Sequence, residues 1–298
     1  MNTILACTMM GTLATALLAQ PTTVPTSVDA KMVLDAAGPA QRQSLTAIYL
    51  IACPGVGFGS GFLLAGGIIA TNSHVTATCT ETNLYGISTE NKRVSFSRVI
   101  KDPNRDLALL IPTEHLTGGL KLSAQENLTP PGVPVTTWGY PFGYNGTSPL
   151  LSVGYIAGFR AVPWDDRSGK TTKHIIVNGA FNHGNSGGPL LTAQDNKVIG
   201  IVVLTFNFYP RGLKNLIDKM SEEKSGMQWT MTQLDGTTKN VSEAQITAAI
   251  LNEFYEKTQV VIGEAVAVSE LAALIKEHAS ELPLDPRSAP LGGASSKN

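Results

Sequence analysis

The sequence has little net charge and no cluster of charge of either sign. Its 22 Lys and Arg residues and 23 Asp and Glu residues leave a formal net charge of −1, and charged residues make up only 15% of the chain. A nucleic-acid-binding surface needs Lys and Arg gathered on one face. Because the cationic residues here are scattered singly, we do not expect the protein to bind nucleic acid.

Cysteine is also scarce. The three cysteines, Cys7, Cys53 and Cys79, form no Cys-x-x-Cys pair and show no metal-ligand spacing with histidine. The sequence therefore predicts no metal site and no other cofactor. If Cys7 is removed with the N-terminal segment, an even pair remains. A Cys53–Cys79 disulfide would need an oxidising compartment, whereas two buried free thiols explain the count equally well.

Long apolar runs are absent after residue 30. The earlier run Ile4–Ala19 is nearly uncharged and offers small residues for a cleavage site, although it lacks a basic n-region. We predict that residues 1–20 are a signal peptide and that the protein is exported to the periplasm or the cell exterior. Residues 21–43 are predicted to be a spacer, which is unstructured over 21–30. A retained anchor is the alternative, and a membrane contact is expected only in that case.

Short apolar runs punctuated by Gly and Pro fill the first 210 residues, which is typical of a β-barrel or sandwich. The run Val94–Ile100 alternates as a half-buried strand does, and Gly66-Gly67 separates two apolar runs as a hairpin turn does. The glycine-dense stretch Pro54–Gly61 is expected to form a loop. The Pro/Gly-containing segment 123–132 is expected to link two sets of strands.

One serine, Ser186, lies among glycines in Gly184-Asn185-Ser186-Gly187-Gly188. A serine hydroxyl is a poor nucleophile alone and needs a base for its proton and donors for the oxyanion that it creates. Gly184 can adopt positive φ, so the amides of Gly184 and Ser186 are candidates for an oxyanion hole. A glycine-rich hairpin turn with an incidental serine is the alternative.

A candidate base and its orienting acid lie at the ends of predicted strands. His74 lies two residues after the end of the run Ile68–Asn72, where its ring can reach a cleft, although an ordinary surface or core histidine fits the same position. Asp106 opens the apolar run 107–111, and a carboxylate there needs a partner because burying a lone charge is costly. Asp102 competes for this role but belongs to the preceding turn, so Asp106 is preferred.

Four motifs together resemble the trypsin-like serine peptidases, and their details are similar to the HtrA/Deg branch. They occur in the order His, Asp, Ser: Gly59-Ser60-Gly61-Phe62, Ala70-Thr71-Asn72-Ser73-His74-Val75, Asp106-Leu107-Ala108-Leu109-Leu110 and Gly184-Asn185-Ser186-Gly187-Gly188-Pro189-Leu190. The resemblance implies an all-β fold of two six-stranded antiparallel β-barrels, over about 44–122 and 133–208, within a protease domain 44–220. It also implies a catalytic triad of His74, Asp106 and Ser186.

The expected function is hydrolysis of peptide bonds in protein or peptide substrates, with unfolded proteins as the favoured class. A catalytically dormant binding or chaperone module of the same fold is the alternative. By the resemblance, Ala180 lies at the base of the pocket for the residue before the cleaved bond (P1). Lining by Phe181, Ile201, Val202 and Val203 would make that pocket apolar. We therefore expect cleavage after small or medium aliphatic residues, and not after Lys or Arg.

The C-terminal part departs from the HtrA pattern, since no PDZ-like carboxylate-binding loop follows residue 220. Residues 221–281 are predicted to be a helical extension with amphipathic helices over 241–257 and 264–278. These helices are expected to pack on the barrel, and homo-oligomerisation through them is the alternative. Residues 282–298 are predicted to be a disordered tail.

Overall fold

The computed structural model describes residues 24–54, 57–76, 78–123, 129–141, 147–164, 168–181, 184–205, 211–232, 237–257 and 262–283. The predicted signal segment 1–20 lies outside these residues, and so does almost all of the predicted tail. No helix among the described residues is long and apolar enough to cross a membrane.

Two helices, α1 (Lys31–Ala36) and α2 (Pro39–Thr46), precede the first barrel. The predicted spacer 21–43 therefore contains α1 and the first turn of α2, whereas the stretch expected to be unstructured, 21–30, lies before both helices. Pro39 suits the first turn of α2 because its φ is already helical. The end of α2 is buried, because Leu45 is fully enclosed and the Ser44 hydroxyl accepts a 3.0 Å hydrogen bond from Trp138 Nε1.

The first barrel closes in the order β1-β2-β3-β6-β5-β4. Its elements are β1 (Ile48–Cys53), β2 (Gly57–Leu63), β3 (Ile69–Thr71), the short helix α3 (Ser73–Thr76), β4 (Tyr85–Ser88), β5 (Arg93–Asp102) and β6 (Leu107–Pro112). The alternation predicted for 94–100 is confirmed at Val94 and Phe96, which are buried between exposed neighbours. The glycine-dense stretch, in contrast, forms β2 rather than a loop from residue 57 onward.

The second barrel begins with β7 (Pro134–Gly139), β8 (Leu150–Pro163), β9 (Thr171–Asn178), β10 (Pro189–Thr192) and β11 (Val198–Thr205). These five strands do not close it. The barrel order is β10-β11-β14-β9-β8-β7, so the sixth strand lies further along the chain.

Residues 207–260 form a separate compact unit of the chain. Its described elements are α4 (Arg211–Glu222), the hairpin β12 (Gln228–Thr232) with β13 (Thr238–Ser242), and α5 (Glu243–Lys257). In this unit α4 and α5 contact each other, and Ile217 and Ala248 are buried. The helix predicted over 241–257 is thus present from residue 243, and the hairpin before it was not predicted.

The chain then returns as β14 (Gly263–Ala267), which pairs with both β11 and β9, and continues as helix α6 (Val268–Glu277) and a short 3₁₀ turn (Ala279–Glu281). Two expectations need correction. The second barrel does not end at residue 208, and the helix predicted over 264–278 begins as a strand. All five residues of β14 are buried, and this burial between two neighbouring strands outweighs the weak local preference of Ala and Glu for strands.

Two apolar clusters fill the barrels. One occupies the second barrel and includes Val135, Ile175, Val177 and Phe181. The other fills the first barrel and extends to Trp138 of β7 and to Leu271 and Leu274 of α6. The larger cluster therefore joins the first barrel to α6 and to part of the second barrel, whose interior holds the second cluster.

Candidate active site

Strand pairing brings His74 and Asp106 together. Thr71 of β3 pairs with Ala108 of β6, so the end of one strand meets the start of the other. The His74 Nδ1 atom lies 2.7 Å from Asp106 Oδ2, and the His74 amide donates a 3.0 Å hydrogen bond to Asp106 Oδ1. A histidine held through Nδ1 in this way presents its second ring nitrogen, Nε2, to a substrate or nucleophile. The His74 side chain is 48% exposed, so it is open to solvent.

Asp106 adopts a left-handed backbone conformation, with φ of 54°. Residues with a Cβ seldom adopt it unless their surroundings impose it. Asn72 contributes one constraint, because its Nδ2 donates a 2.9 Å hydrogen bond to the Asp106 carbonyl. Asp102, the competing carboxylate, does not face His74 but accepts a 2.9 Å hydrogen bond from Arg105.

Ser186 lies in the loop before β10, where two glycines have positive φ: 91° at Gly184 and 87° at Gly187. The Gly187 amide donates to Val202 O at 2.8 Å, which ties this loop to β11. In the conformation described, the Ser186 hydroxyl donates a 2.7 Å hydrogen bond to the Val203 carbonyl rather than to the His74 ring. Ser186 thus lies beside β11, and its hydroxyl proton is donated to a main-chain carbonyl of that strand.

The loop is fastened to the first barrel by Ser60 of β2, which is fully buried. The Ser60 hydroxyl donates a 2.6 Å hydrogen bond to Gly184 O and accepts one of 3.1 Å from the Tyr140 amide. The Ser60 amide donates to Ser186 O at 2.8 Å. One residue therefore holds the carbonyls on both sides of Asn185.

The amides of Gly184 and Ser186 donate no hydrogen bond to any residue that the structure describes. These two N–H groups are therefore the candidates for binding an oxygen of a ligand. Two amides of one tight loop are the kind of donor pair that stabilises a tetrahedral oxyanion.

The residues predicted to line the P1 pocket do not share one surface. Ala180 is exposed and Val203 is half-buried. Phe181, Ile201 and Val202 are at most 1% exposed. Successive residues of a strand point to opposite faces, so Ile201 and Val202 cannot both face one pocket. A Cβ at position 263 would lie 2.1 Å from Cδ2 of the Phe181 ring. The ring therefore fits only because residue 263 is glycine.

Within the second barrel, Glu264 of β14 is an almost fully buried carboxylate. Its Oε1 lies 2.7 Å from His174 Nδ1 and accepts a 2.6 Å hydrogen bond from Arg160 Nε. Burial raises the pKa of the Glu264 carboxyl, but His174 and Arg160 outweigh it and hold that pKa below its ordinary value. This arrangement joins β8, β9 and β14. Among the described residues, no three His, Cys, Asp or Glu side chains are grouped as metal ligands would be.

Several residues that support the site were not predicted to do so. Ser60 and Asn72 appeared only as letters of the family motifs, and Arg105 was not singled out. Ser60 gives no local signal of its role, because its partners Tyr140 and Gly184 are 80 and 124 residues further along the chain.

The double barrel, the His74–Asp106 pair and the glycine-framed Ser186 together define the trypsin-like peptidase class. Residues 59–201 match the family model of the trypsin-like peptidase domain. Within this class, the chain is similar to relatives that are named as HtrA/DegP-like proteases. It is 33% identical over 173 residues to the chloroplastic Protease Do-like 5 of Arabidopsis thaliana, covering 53% of this chain and 51% of the relative. It is 27% identical over 203 residues to a probable periplasmic serine endoprotease, DegP-like, of Bartonella henselae, covering 63% of this chain and 38% of the relative.

Solved structures agree on the fold. The active form of the Rv3671c protease from M. tuberculosis superposes with a TM-score of 0.54 at 16% identity, covering 87% of this chain and 90% of that one. The HtrA-type protease AlgW with a tripeptide gives a TM-score of 0.52 at 21% identity, covering 81% of this chain and 62% of that one. The chain spans between 38% and 51% of the length of the two curated relatives named above.

Proposed function

We propose that this chain is a serine endopeptidase that cleaves protein substrates through a covalent acyl-enzyme. Ser186 Oγ attacks the scissile carbonyl, His74 takes the hydroxyl proton and later gives it to the leaving amine, and Asp106 holds the imidazole and stabilises its charged form. The amides of Gly184 and Ser186 bind the oxyanion. The observation that carries the proposal is the 2.7 Å contact between His74 Nδ1 and Asp106 Oδ2.

The reaction requires one rearrangement at Ser186. Its hydroxyl must leave the Val203 carbonyl, to which it now donates at 2.7 Å, and turn toward His74 Nε2. Exchanging one hydrogen bond for another costs little net free energy, on the order of 1 kcal/mol. A bound substrate can supply this through its own contacts at the site. The same hydrogen bond favours a second candidate, a dormant binding module whose serine stays bound to Val203.

Hydrolysis of unfolded casein by the purified chain tests the proposal and separates the two candidates. The parent should release peptides and be labelled at Ser186 by a fluorophosphonate, whereas Ser186→Ala should do neither while keeping its fold. Asp106→Asn should lower kcat by roughly 10⁴-fold. Ser88→Ala is a matched control, because this hydroxyl only accepts from Glu90 and Lys92 amides in the β4–β5 turn.

Two outcomes would go against the peptidase. Casein cleavage by Ser186→Ala at the parental rate would refute the assignment of the nucleophile. A parent that neither cleaves casein nor reacts with the fluorophosphonate, but binds unfolded casein, would establish the dormant module instead.

For substrate preference, we propose cleavage after small or medium aliphatic residues. The support is Ala180, which is exposed and offers a methyl group where recognition of Lys or Arg would need a carboxylate. A peptide library digested by the parent should be cut mainly after such residues. Cleavage mainly after Lys or Arg would contradict this preference.

We further propose that the protein works outside the reducing cytosol. The support is the disulfide between Cys53 and Cys79, which persists in oxidising compartments, and the names of relatives, which are periplasmic or chloroplastic. Protein isolated from its native cells under alkylating conditions should have these two cysteines protected. Full alkylation of both without reductant would contradict this location.

A further inference from the structure

Arg105 directly precedes Asp106 in the chain and is a nearly buried cation. Its side chain is only 10% exposed. Burying a cation is unfavourable unless charged partners surround it, and three carboxylates lie within 3.5 Å of its guanidinium. Two of these belong to α6, far along the chain from the turn that carries Asp106.

Arg105 contacts α6 through two glutamates, Glu277 and Glu270. Arg105 Nη2 donates to Glu277 Oε1 at 2.7 Å and Nη1 donates to Glu277 Oε2 at 2.8 Å, while Nε lies 3.5 Å from Glu270 Oε2. Glu270 and Glu277 are seven residues apart, so they lie on one face of the helix. A forked, bidentate pair fixes the direction of the guanidinium as well as its distance.

Arg105 is also tied to its own turn and to the β8–β9 hairpin. Asp102 Oδ2 accepts a 2.9 Å hydrogen bond from Nη1, and Asp102 Oδ1 accepts one of 3.2 Å from the Arg105 amide. The Trp164 ring lies 5.3 Å from the guanidinium carbon, which is within cation–π range. The same hairpin reaches α6 through the Lys173 amide, which donates to Glu270 Oε1 at 3.1 Å.

The backbone of Asp106 needs such an anchor. Its φ of 54° is disfavoured for a residue with a Cβ, and both of its carboxylate oxygens must stay on His74. On the C-terminal side the β6 ladder holds it, since Leu107 pairs with Asp102. On the N-terminal side the anchored residue is Arg105, whose guanidinium is bonded to α6.

We propose that Arg105 is a positioning residue through which α6 holds Asp106 on His74. It touches no substrate; it acts by fixing the turn that aims the Asp106 carboxylate. The expected effect of Arg105 on kcat rests on the proposed peptidase function. Its expected effect on the His74–Asp106 hydrogen bond does not depend on that function.

The test compares Arg105→Gln and Glu277→Gln with Arg98→Gln. Arg98 of β5 forms an ion pair with Glu281, just after α6. The control therefore removes an ion pair between the first barrel and the C-terminal segment without changing the turn that carries Asp106. Two readouts are needed: kcat and KM on a peptide substrate, and the far-downfield proton resonance of a histidine ring N–H bonded to a carboxylate. That resonance is assigned by its loss in Asp106→Asn.

We expect Arg105→Gln to lower kcat roughly ten- to a hundredfold with KM unchanged, because small misplacements of a catalytic group have effects of this size. The downfield resonance should weaken or vanish. Glu277→Gln should change both readouts in the same direction, and it decides the matter if Arg105→Gln does not fold. Arg98→Gln should keep the parental kcat and the resonance.

Three results would overturn the inference: a folded Arg105→Gln variant with parental kcat and resonance, a folded Glu277→Gln with both unchanged where Arg105→Gln does not fold, or an Arg98→Gln variant that loses both as strongly. A parent without peptidase activity would count against the proposed function alone, and the resonance would still test the role of Arg105.

Discussion

The Ser60 hydroxyl donates a 2.6 Å hydrogen bond to the Gly184 carbonyl, across 124 residues of sequence. Ser60 belongs to β2 of the first barrel, and Gly184 belongs to the nucleophile loop of the second. The same hydroxyl accepts from the Tyr140 amide at the end of β7. A side chain of the first barrel therefore fixes the Gly184–Asn185 peptide, which directly follows the candidate oxyanion donor Gly184 N–H.

Replacing Ser60 with Ala should lower kcat by roughly tenfold to a hundredfold while leaving KM nearly unchanged. Loss of one oxyanion donor costs about 10²–10³ in rate, and Ser60→Ala loosens the loop that contains the Gly184 donor without removing that donor. Steady-state kinetics and binding of a peptide boronate, which mimics the oxyanion, are the measurements. The boronate should bind more weakly, and Ser88→Ala should match the parent in both. Parental kcat in a folded Ser60→Ala variant would show that the loop holds its shape without this hydroxyl.

Gly187 should not tolerate Ala, whereas Gly132 should. Both have nearly the same φ, 87° and 88°, so the left-handed penalty, roughly 1 kcal/mol, is common to both substitutions. A Cβ at Gly187 would lie 2.0 Å from Ser60 O, while one at Gly132 would meet nothing within 4 Å. Overpacking adds about 1–3 kcal/mol, so urea unfolding should show Gly187→Ala to be the less stable variant by about that amount. Equal losses would mean that the loop can shift away from Ser60.

Part of the fold could be predicted because its signals are local. The alternation in β5, the Gly-Gly turn between β2 and β3 and the three motifs around His74, Asp106 and Ser186 each lie within a few residues. The sixth strand of the second barrel could not be predicted this way. Gly263–Ala267 has no strong strand residues except Val266, and 57 residues separate it from β11, its partner in the barrel. What makes it a strand is pairing with β9 and β11, which no short window contains.

The site shows the same division. His74, Asp106 and Ser186 could be named because the chemistry of a triad requires those residue types at strand ends and in a glycine loop. Their supports, Ser60 and Arg105, could not, since each has an essential partner far along the chain, 124 residues away for Ser60 and 172 for Arg105. The hydroxyl of Ser186 also differs from the sequence expectation, because its partner in this conformation is the Val203 carbonyl.

The Cys53–Cys79 disulfide, which the sequence left open, links β1 to the segment just after α3, the helix that carries His74. It closes a loop with a sequence separation of 26 residues, so its removal should lower the free energy of unfolding by roughly 3 kcal/mol. Cys53→Ser and Cys79→Ser should each show this loss in urea unfolding. The double variant should lose no more than either single variant, because one bond is removed in every case. Additive losses would mean that the two side chains stabilise the fold separately by packing.

Glu264 should make the fold sensitive to acid. Because His174 and Arg160 hold the pKa of its carboxyl below the ordinary 4.5 in the folded state, the unfolded chain takes up the proton first as pH falls. The stabilisation is therefore complete above about pH 4.5 and is lost as pH falls through the lowered pKa. Glu264→Gln should be less stable at neutral pH, by on the order of 2 kcal/mol, because hydrogen bonds to a charged group are lost. Its stability should also fall less steeply on acidification. Asp35→Asn is the control, since its exposed pair with Lys31 is screened by solvent and contributes little. Urea unfolding from neutral pH down to about pH 3 measures all three proteins, and parallel curves for the parent and Glu264→Gln would show that acid acts on other groups.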